Sequence, residues 1–117
     1  MSVLWHVRLA ARAELDFLEI ANWTAQNFGP RQAEAYLETI TLALEALHDG
    51  PEIIGVKARD DEIGSSIRTL PVAREGRRGR HFVVFREARG QIIDVLRILY
   101  GGMDLVRHLG EAEDQAD

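Results

Sequence analysis

The chain has 117 residues, of which 46% are hydrophobic and 28% are charged, a composition typical of one ordinary globular domain. It contains no cysteine, which excludes a disulfide framework, a thiolate zinc site and a thiol nucleophile. No apolar run approaches the roughly 20 residues that span a bilayer, and the N-terminus lacks a signal-peptide pattern, so we expect a cytoplasmic protein.

The net charge of −5 is unevenly distributed along the chain. Four acids lie in the last seven residues, EAEDQAD (111–117), and without them 15 acidic residues face 14 basic ones. The densest basic segment contains Arg74, Arg77, Arg78 and Arg80. This layout fits either charged partners or an acidic solvated tail with a mobile basic loop. The acidic balance argues against nucleic-acid binding, and we expect no sequence-specific nucleic-acid binding by the chain alone.

The first half of the chain predicts one strand and two helices. Residues 3–9 (VLWHVRL) are rich in β-formers that roughly alternate, which indicates a strand. A helix is predicted over residues 11–28, with a core-facing stripe of Ala13, Phe17, Ile20, Thr24 and Phe28, and with Asp16, Glu19 and Gln26 outside it. Gly29 and Pro30 end this helix and begin a second one, which reaches about residue 48. So short a link predicts an antiparallel helical hairpin.

The second half predicts three strands after a loop over residues 51–66 that has room for one helical turn. The strands are SIRTLPV (66–72), RHFVVFRE (80–87) and QIIDVLRILY (91–100). Pro71 indicates that the hydrogen bonding of the first strand ends there or lies at an edge, and ARG (88–90) indicates a hairpin turn. The last strand is almost continuously apolar, so we expect it to be central with both faces covered.

The element order β-α-α-β-β-β predicts an α+β fold, with the helical hairpin packed on a small, largely antiparallel sheet. We expect a single domain over residues 1–110, including a short C-terminal helix within MDLVRHL (103–109). The acidic segment 111–117 is expected to be disordered.

Arg97 is the one cation within the apolar last strand. A buried guanidinium is costly unless it is paired. It therefore bonds backbone carbonyls or a carboxylate, for which Asp16, Glu19 and Asp104 are candidates, or it projects from the sheet toward a partner. We expect Arg97 to order the turn around Gly101.

The strand ends at Gly101 and Gly102, which allow backbone dihedrals that other residues avoid. Asp104 follows and can cap a short helix or pair with Arg97. Metal and cofactor chemistry is not expected. The four histidines lack metal-ligand spacing with nearby acids, and no phosphate-binding glycine motif is present.

The ending VLRILYGGMDLVRHL (95–109) is similar to that of the ParE branch of the RelE/ParE toxin superfamily, which includes plasmid-stabilisation proteins. The matching residues are Arg97, Ile98, Leu99, Gly101, Met103, Asp104, Leu105, His108 and Leu109. AELDFLEIANWTAQNFG (13–29), PEIIG (51–55) and IRTLPV (67–72) are also similar, and Arg68 is the usual basic residue of the second strand. The resemblance covers residues 7–109. Tyr100 replaces the usual histidine, Gly102 replaces the usual arginine, and AREGRRGR (73–80) is an insertion.

The resemblance implies a toxin of a type II toxin–antitoxin system that inhibits DNA gyrase by binding. It also implies neutralisation by a ParD-like antitoxin from the same operon in a hetero-oligomer. Antitoxins of this kind bury apolar anchors in a groove between the hairpin and the sheet. The candidate anchor contacts are Trp23, Tyr36, Phe82 and Phe85, each of which is equally suited to the core.

Other surfaces are expected to contribute to partner binding. The turn and short helix over residues 100–109, with Tyr100 and Met103, are expected to carry or adjoin the toxic surface. The basic segment, Arg74 to Arg80, is either a charged contact for an acidic partner or a solvated hairpin tip.

Two other functions stay open. One is a RelE-type, ribosome-dependent mRNA endonuclease, for which Arg68, Arg97, Tyr100 and His108 are the available groups. Because Gly102 replaces the usual arginine, that set lacks one cation. An acidic chain also binds RNA weakly at cellular salt. The other is a degenerate member that binds antitoxin without being toxic.

Overall fold

The computed structural model describes residues 4–59 and 66–101. Its elements are β1 (His6–Leu9), α1 (Ala11–Phe28), α2 (Pro30–Ala46), a 3₁₀ turn (Leu47–Asp49), β2 (Lys57–Ala58), β3 (Ile67–Pro71), β4 (His81–Ala88) and β5 (Ile92–Tyr100). The strands form one sheet in the order β1-β5-β4-β3-β2. Only β1 and β5 run parallel among these pairs. The predicted α+β class is confirmed. The sequence does not predict β2, because two exposed residues are too few to show a hydrophobic period.

The helical hairpin matches its predicted bounds. Gly29 has a φ of 92° and Pro30 is the first residue of α2, so the chain reverses with almost no loop. Ala13, Ile20 and Ile40 lie in the main core between the hairpin and the sheet. Phe28 does not. Its prediction as a core residue is wrong, because α1 ends at this residue and the ring, 65% exposed, packs against Trp23 in the solvent.

β5 is central, as its composition predicts. It lies between β1 and β4, and its residues from Val95 to Leu99 are all buried. Ile93 and Val95 pack in the main core, whereas Leu96 and Leu99 belong to a smaller apolar cluster with Phe82. A register shift opposite β4 inserts one extra residue into β5, which lets neighbouring residues turn to different sides.

β1 is too short to cover the whole of β5. The register pairs Leu9 with Val95, and the amide of Ala10 donates to the carbonyl of Val95 at 2.8 Å before the chain enters α1. Within the described ranges, no strand lies on the β1 side of β5 after that point. The predicted C-terminal helix and the acidic tail fall outside the described residues. No helix among those described is long and apolar enough to cross a membrane.

Candidate functional site

A cavity of about 570 Å³ opens between α1 and the last residues of β5. Ile20, Trp23 and Leu99 supply apolar wall, and Arg12 and Asp16 are among its polar groups. Its volume lies within the range of about 300–1,000 Å³ that is typical of ligand sites. The cavity is therefore a groove between α1 and the sheet that is large enough for a ligand or a partner's side chains.

The carboxylate of Asp16 joins α1 to β5. Its Oδ2 accepts from Arg97 Nε at 2.8 Å and from the backbone amide of Ile98 at 2.9 Å. Its Oδ1 accepts from Arg97 Nη2 at 3.0 Å and lies 2.9 Å from Arg12 Nη1. Asp16 is 5% exposed and Arg97 is 2% exposed. Such a bidentate, charge-assisted pair offsets the desolvation of both groups.

Of the three acids considered for Arg97, Asp16 is therefore a partner. Asp104 lies outside the described residues. The apolar stripe placed Asp16 outside the core face, which is wrong. Asp16 follows Ala13 by three residues and precedes Ile20 by four, so it shares their face of the helix. A stripe drawn through apolar residues alone cannot identify Asp16 as buried. The arginine within the apolar strand β5 was a usable signal, because a buried arginine needs a buried partner such as a carboxylate.

Gly101 makes a close backbone contact with Arg80. Its amide donates to the carbonyl of Arg80 at 2.6 Å, and a Cβ at this position would lie 2.9 Å from the same oxygen. Its φ is not in the left-handed region. The glycine is thus required by close backbone approach. Arg97 bonds α1, and its expected role in ordering this turn stays a prediction.

Three rings form a cluster at the end of β5 nearest α2. The hydroxyl of Tyr36 lies 2.6 Å from His81 Nδ1, and the rings of His81 and Tyr100 are 5.4 Å apart. Burial raises the pKa of Tyr36 and lowers the pKa of His81. Both shifts favour the uncharged forms of the two groups, which share this hydrogen bond.

A second cavity of about 350 Å³ lies over these rings, and Trp23 and Arg78 also line it. It shares Trp23, His81 and Tyr100 with the first cavity. The two cavities are therefore one continuous groove along the end of the sheet.

The basic segment is anchored to α2. Arg77 donates to Glu38 at 2.9 Å and to the hydroxyl of Thr39 at 3.1 Å. Gly79 passes so close to Tyr36 that a Cβ would lie 2.7 Å from the phenol. The four arginines do not form one patch. Arg74 and Arg77 line a different groove, beside α2.

Of the four arginines of the basic segment, Arg78 and Arg80 lie at the cavity over the three rings. Both are exposed, and Arg80 Nη1 lies 3.4 Å from the hydroxyl of Tyr100. The structure thus divides the basic segment into a structural contact and a pair of cations at the groove.

The structure also separates the four aromatic candidates. Trp23 is exposed in the groove and Tyr36 is half-buried in it. Phe85 is fully buried in the main core, so it is not available as a partner contact. Phe82 belongs to the smaller apolar cluster away from the hairpin. Alternation in β4 places its neighbour Val83 in the main core.

The remaining expected site residues are Arg68, Met103 and Asp104. Arg68 donates to Glu87 at 3.0 Å, so it is a paired cation of the sheet. Met103 and Asp104 lie outside the described residues. Within the described part of the chain, no group of three or more His, Asp or Glu side chains could hold a metal ion.

An antiparallel helical hairpin on a five-stranded sheet, with a groove beside the last strand, defines a class of small α+β domains. Residues 7–105 match the family model described as the ParE toxin of the type II toxin–antitoxin system parDE. The chain therefore belongs to the ParE toxin family.

Two relatives agree with this assignment. Toxin ParE1 of Caulobacter vibrioides is 26% identical over 103 residues, which are 88% of this chain and 96% of that protein. A solved chain from the chromosomal ParDE system of P. aeruginosa has the same fold, with a TM-score of 0.65 and 22% identity. The match covers 86% of this chain and 99% of that one.

Proposed function

We propose that this ParE-family toxin inhibits DNA gyrase by binding to it and is neutralised by a ParD-like antitoxin from the same operon. The family match over residues 7–105 carries the proposal. The similar chain from P. aeruginosa belongs to a ParDE system, which supports a ParD-type partner. Gyrase as the target follows from the resemblance in the ending of the chain, and places the activity in the cytoplasm.

Inhibition by binding is favoured over RNA cleavage by the state of the arginines. Cleavage needs cations positioned for a phosphate. Arg68 is paired with Glu87, and Arg97 is buried against Asp16, so neither guanidinium offers a free charge to a substrate. The arginine deepest in the groove, Arg97, is thus already paired, which suits a peptide or protein partner better than a polyanion.

Two parts of the surface are proposed to carry the two interactions. The groove lined by Trp23 and Tyr36, with Arg78 and Arg80 at its margin, is the proposed antitoxin site. Tyr100 is exposed at the end of a rigid strand, where it can be presented at little entropic cost. With Met103 it is proposed to belong to the toxic surface.

The test is expression of the chain from an inducible promoter, with and without its neighbouring antitoxin gene, followed by gyrase supercoiling and transcript-integrity assays. We expect loss of supercoiling with intact transcripts, and rescue by the antitoxin. Tyr100→Ala should reduce toxicity without lowering the melting temperature. Ile54→Ala, an exposed apolar residue that lines neither cavity of the groove, is the matched control and should remain toxic.

Two results would contradict the proposal in different ways. Cleaved transcripts in translating ribosomes, with supercoiling unchanged, would identify a RelE-type endonuclease. A parent chain that binds the antitoxin but is harmless without it would identify a degenerate member.

A further inference from the structure

The last residues of β5 have backbone groups on the edge that faced β1 earlier in the strand, where β1 no longer pairs with β5. In an antiparallel pair, hydrogen-bonded and non-hydrogen-bonded residue pairs alternate. The amide of Gly101 donates to the carbonyl of Arg80, which makes the pair between Tyr100 and His81 a non-hydrogen-bonded one. The N–H and C=O of Tyr100 therefore point away from β4, toward the open edge.

The same alternation is visible two residues earlier. Ile98 also faces the open edge, and its amide donates to Asp16 at 2.9 Å. A side chain of α1 thus satisfies one donor where β1 no longer reaches. The carbonyl of Ile98 and both backbone groups of Tyr100 have no neighbouring strand in the described ranges. Tyr100 is 41% exposed whereas Ile98 is 3% exposed, so the backbone groups of Tyr100 are the ones within reach of a partner.

The groove beside this edge has apolar walls, and the cations that line it, Arg12 and Arg97, are both paired with Asp16. Ile20, Trp23 and Leu99 line it. Arg12 Nη1 is buried there without a hydrogen bond, although it lies 2.9 Å from the Asp16 carboxylate. That carboxylate already accepts from Arg97 and Ile98. An occupant that brings its own carboxylate and an apolar side chain would match both features.

We propose that an extended segment of the ParD-like antitoxin adds to the edge of β5 as a further strand beside Ile98 and Tyr100, continuing the line of β1. One acidic side chain of that segment would bond Arg12, and an apolar one would pack against Ile20 and Trp23. The inference rests on the proposed antitoxin partnership. Exposed edge carbonyls favour a peptide, whose amides can donate to them, over a nucleic acid, whose phosphates they repel.

Two replacements of Tyr100 distinguish the contribution of its amide to antitoxin binding from that of its side chain. Tyr100→Ala removes the ring and keeps the N–H, whereas Tyr100→Pro removes both. Because this N–H is not used by β4, proline leaves the β4–β5 ladder intact, and the extended Leu99 before it is compatible with proline. We expect antitoxin binding by calorimetry to be roughly tenfold weaker for Tyr100→Pro than for Tyr100→Ala. Urea unfolding of the two variants verifies that both are folded.

Amide exchange in the unmodified chain gives a second measurement. We expect antitoxin to slow exchange at Tyr100 by at least tenfold, and to change Ile98 less, because its amide is already bonded to Asp16. Equal affinities of the two variants with an unprotected Tyr100 amide would overturn strand addition and leave the partnership intact, as for a helix laid in the groove. If Tyr100→Pro is unfolded, the exchange result alone decides. An antitoxin that does not bind the parent chain would overturn both proposals.

Discussion

Asp16 holds three donors, so its removal and the removal of Arg97 should have unequal effects. Asp16→Ala leaves the Arg97 guanidinium, 2% exposed, without its carboxylate and leaves the Ile98 amide without an acceptor. Breaking a buried pair from one side costs about 3–5 kcal/mol, and an unsatisfied buried amide costs about 1–3 kcal/mol. Because both losses come from one group, we expect about 5 kcal/mol in total.

Arg97→Ala should cost less, on the order of 3 kcal/mol. The carboxylate that remains still accepts from the Ile98 amide and still lies beside Arg12, so it is not a bare buried charge. The measurement is the free energy of unfolding from urea titrations of both variants and of the double variant. The double variant should lose less than the sum of the two single losses, because the groups act as one network.

Two further variants complete this test, one as a substitute for Asp16→Ala and one as a control. A loss of about 5 kcal/mol can exceed the stability of a small domain, so Asp16→Asn, which retains an oxygen acceptor, serves if Asp16→Ala does not fold. Glu19→Ala is the control. Glu19 Oε1 is 3.6 Å from Arg12 Nη1 and its side chain is 58% exposed, and such a pair contributes at most about 1 kcal/mol. The reasoning is refuted if Arg97→Ala proves as costly as Asp16→Ala.

Three other outcomes follow from the site. Gly101→Ala should lower the free energy of unfolding by about 1–3 kcal/mol, since its Cβ would press on the carbonyl of Arg80 at 2.9 Å; an unchanged urea midpoint would contradict this. His81→Gln should reduce the loss of stability between pH 7 and 5. Burial lowers the folded pKa of His81 below its usual value near 6.5, so the unfolded chain binds more protons as the pH falls; parallel stability curves would disprove it. Replacing Arg78 and Arg80 by alanine should slow antitoxin association and weaken its salt dependence, leaving dissociation less changed. Arg77→Ala should slow association less, because that cation is paired with Glu38; equal slowing by the two changes would contradict this division.

Much of the fold was predictable because its signals are local. Both helices carry an apolar period, and Gly29 with Pro30 marks their junction in two residues. The nearly continuous apolar run of β5 predicted its central position. β2 was not predictable, since two exposed residues are placed there only by pairing with β3.

The candidate site was predictable only in part, because its key contacts join distant residues. Arg97 was identified from its chemistry alone, but the choice of Asp16 depends on the rotation of α1 against β5. The basic segment looked uniform in sequence, and only the approach of Gly79 to Tyr36 shows why its arginines point to different surfaces. Phe85 and Trp23 were indistinguishable as candidates until the register of β4 put one of them in the core.

The shortness of β1 connects the buried ion pair with the proposed recognition site. If β1 continued past Leu9, it would cover the edge beside Ile98. The Ile98 amide would then no longer be available to donate a hydrogen bond to Asp16. Because the chain enters α1 instead, one helix turn supplies a carboxylate to the edge and the next supplies the apolar wall of the groove. An open strand edge invites unwanted pairing. Within the described residues this edge runs only from Ile98 to Tyr100, and one of its donors is already occupied, which favours the proposed short segment over a second sheet.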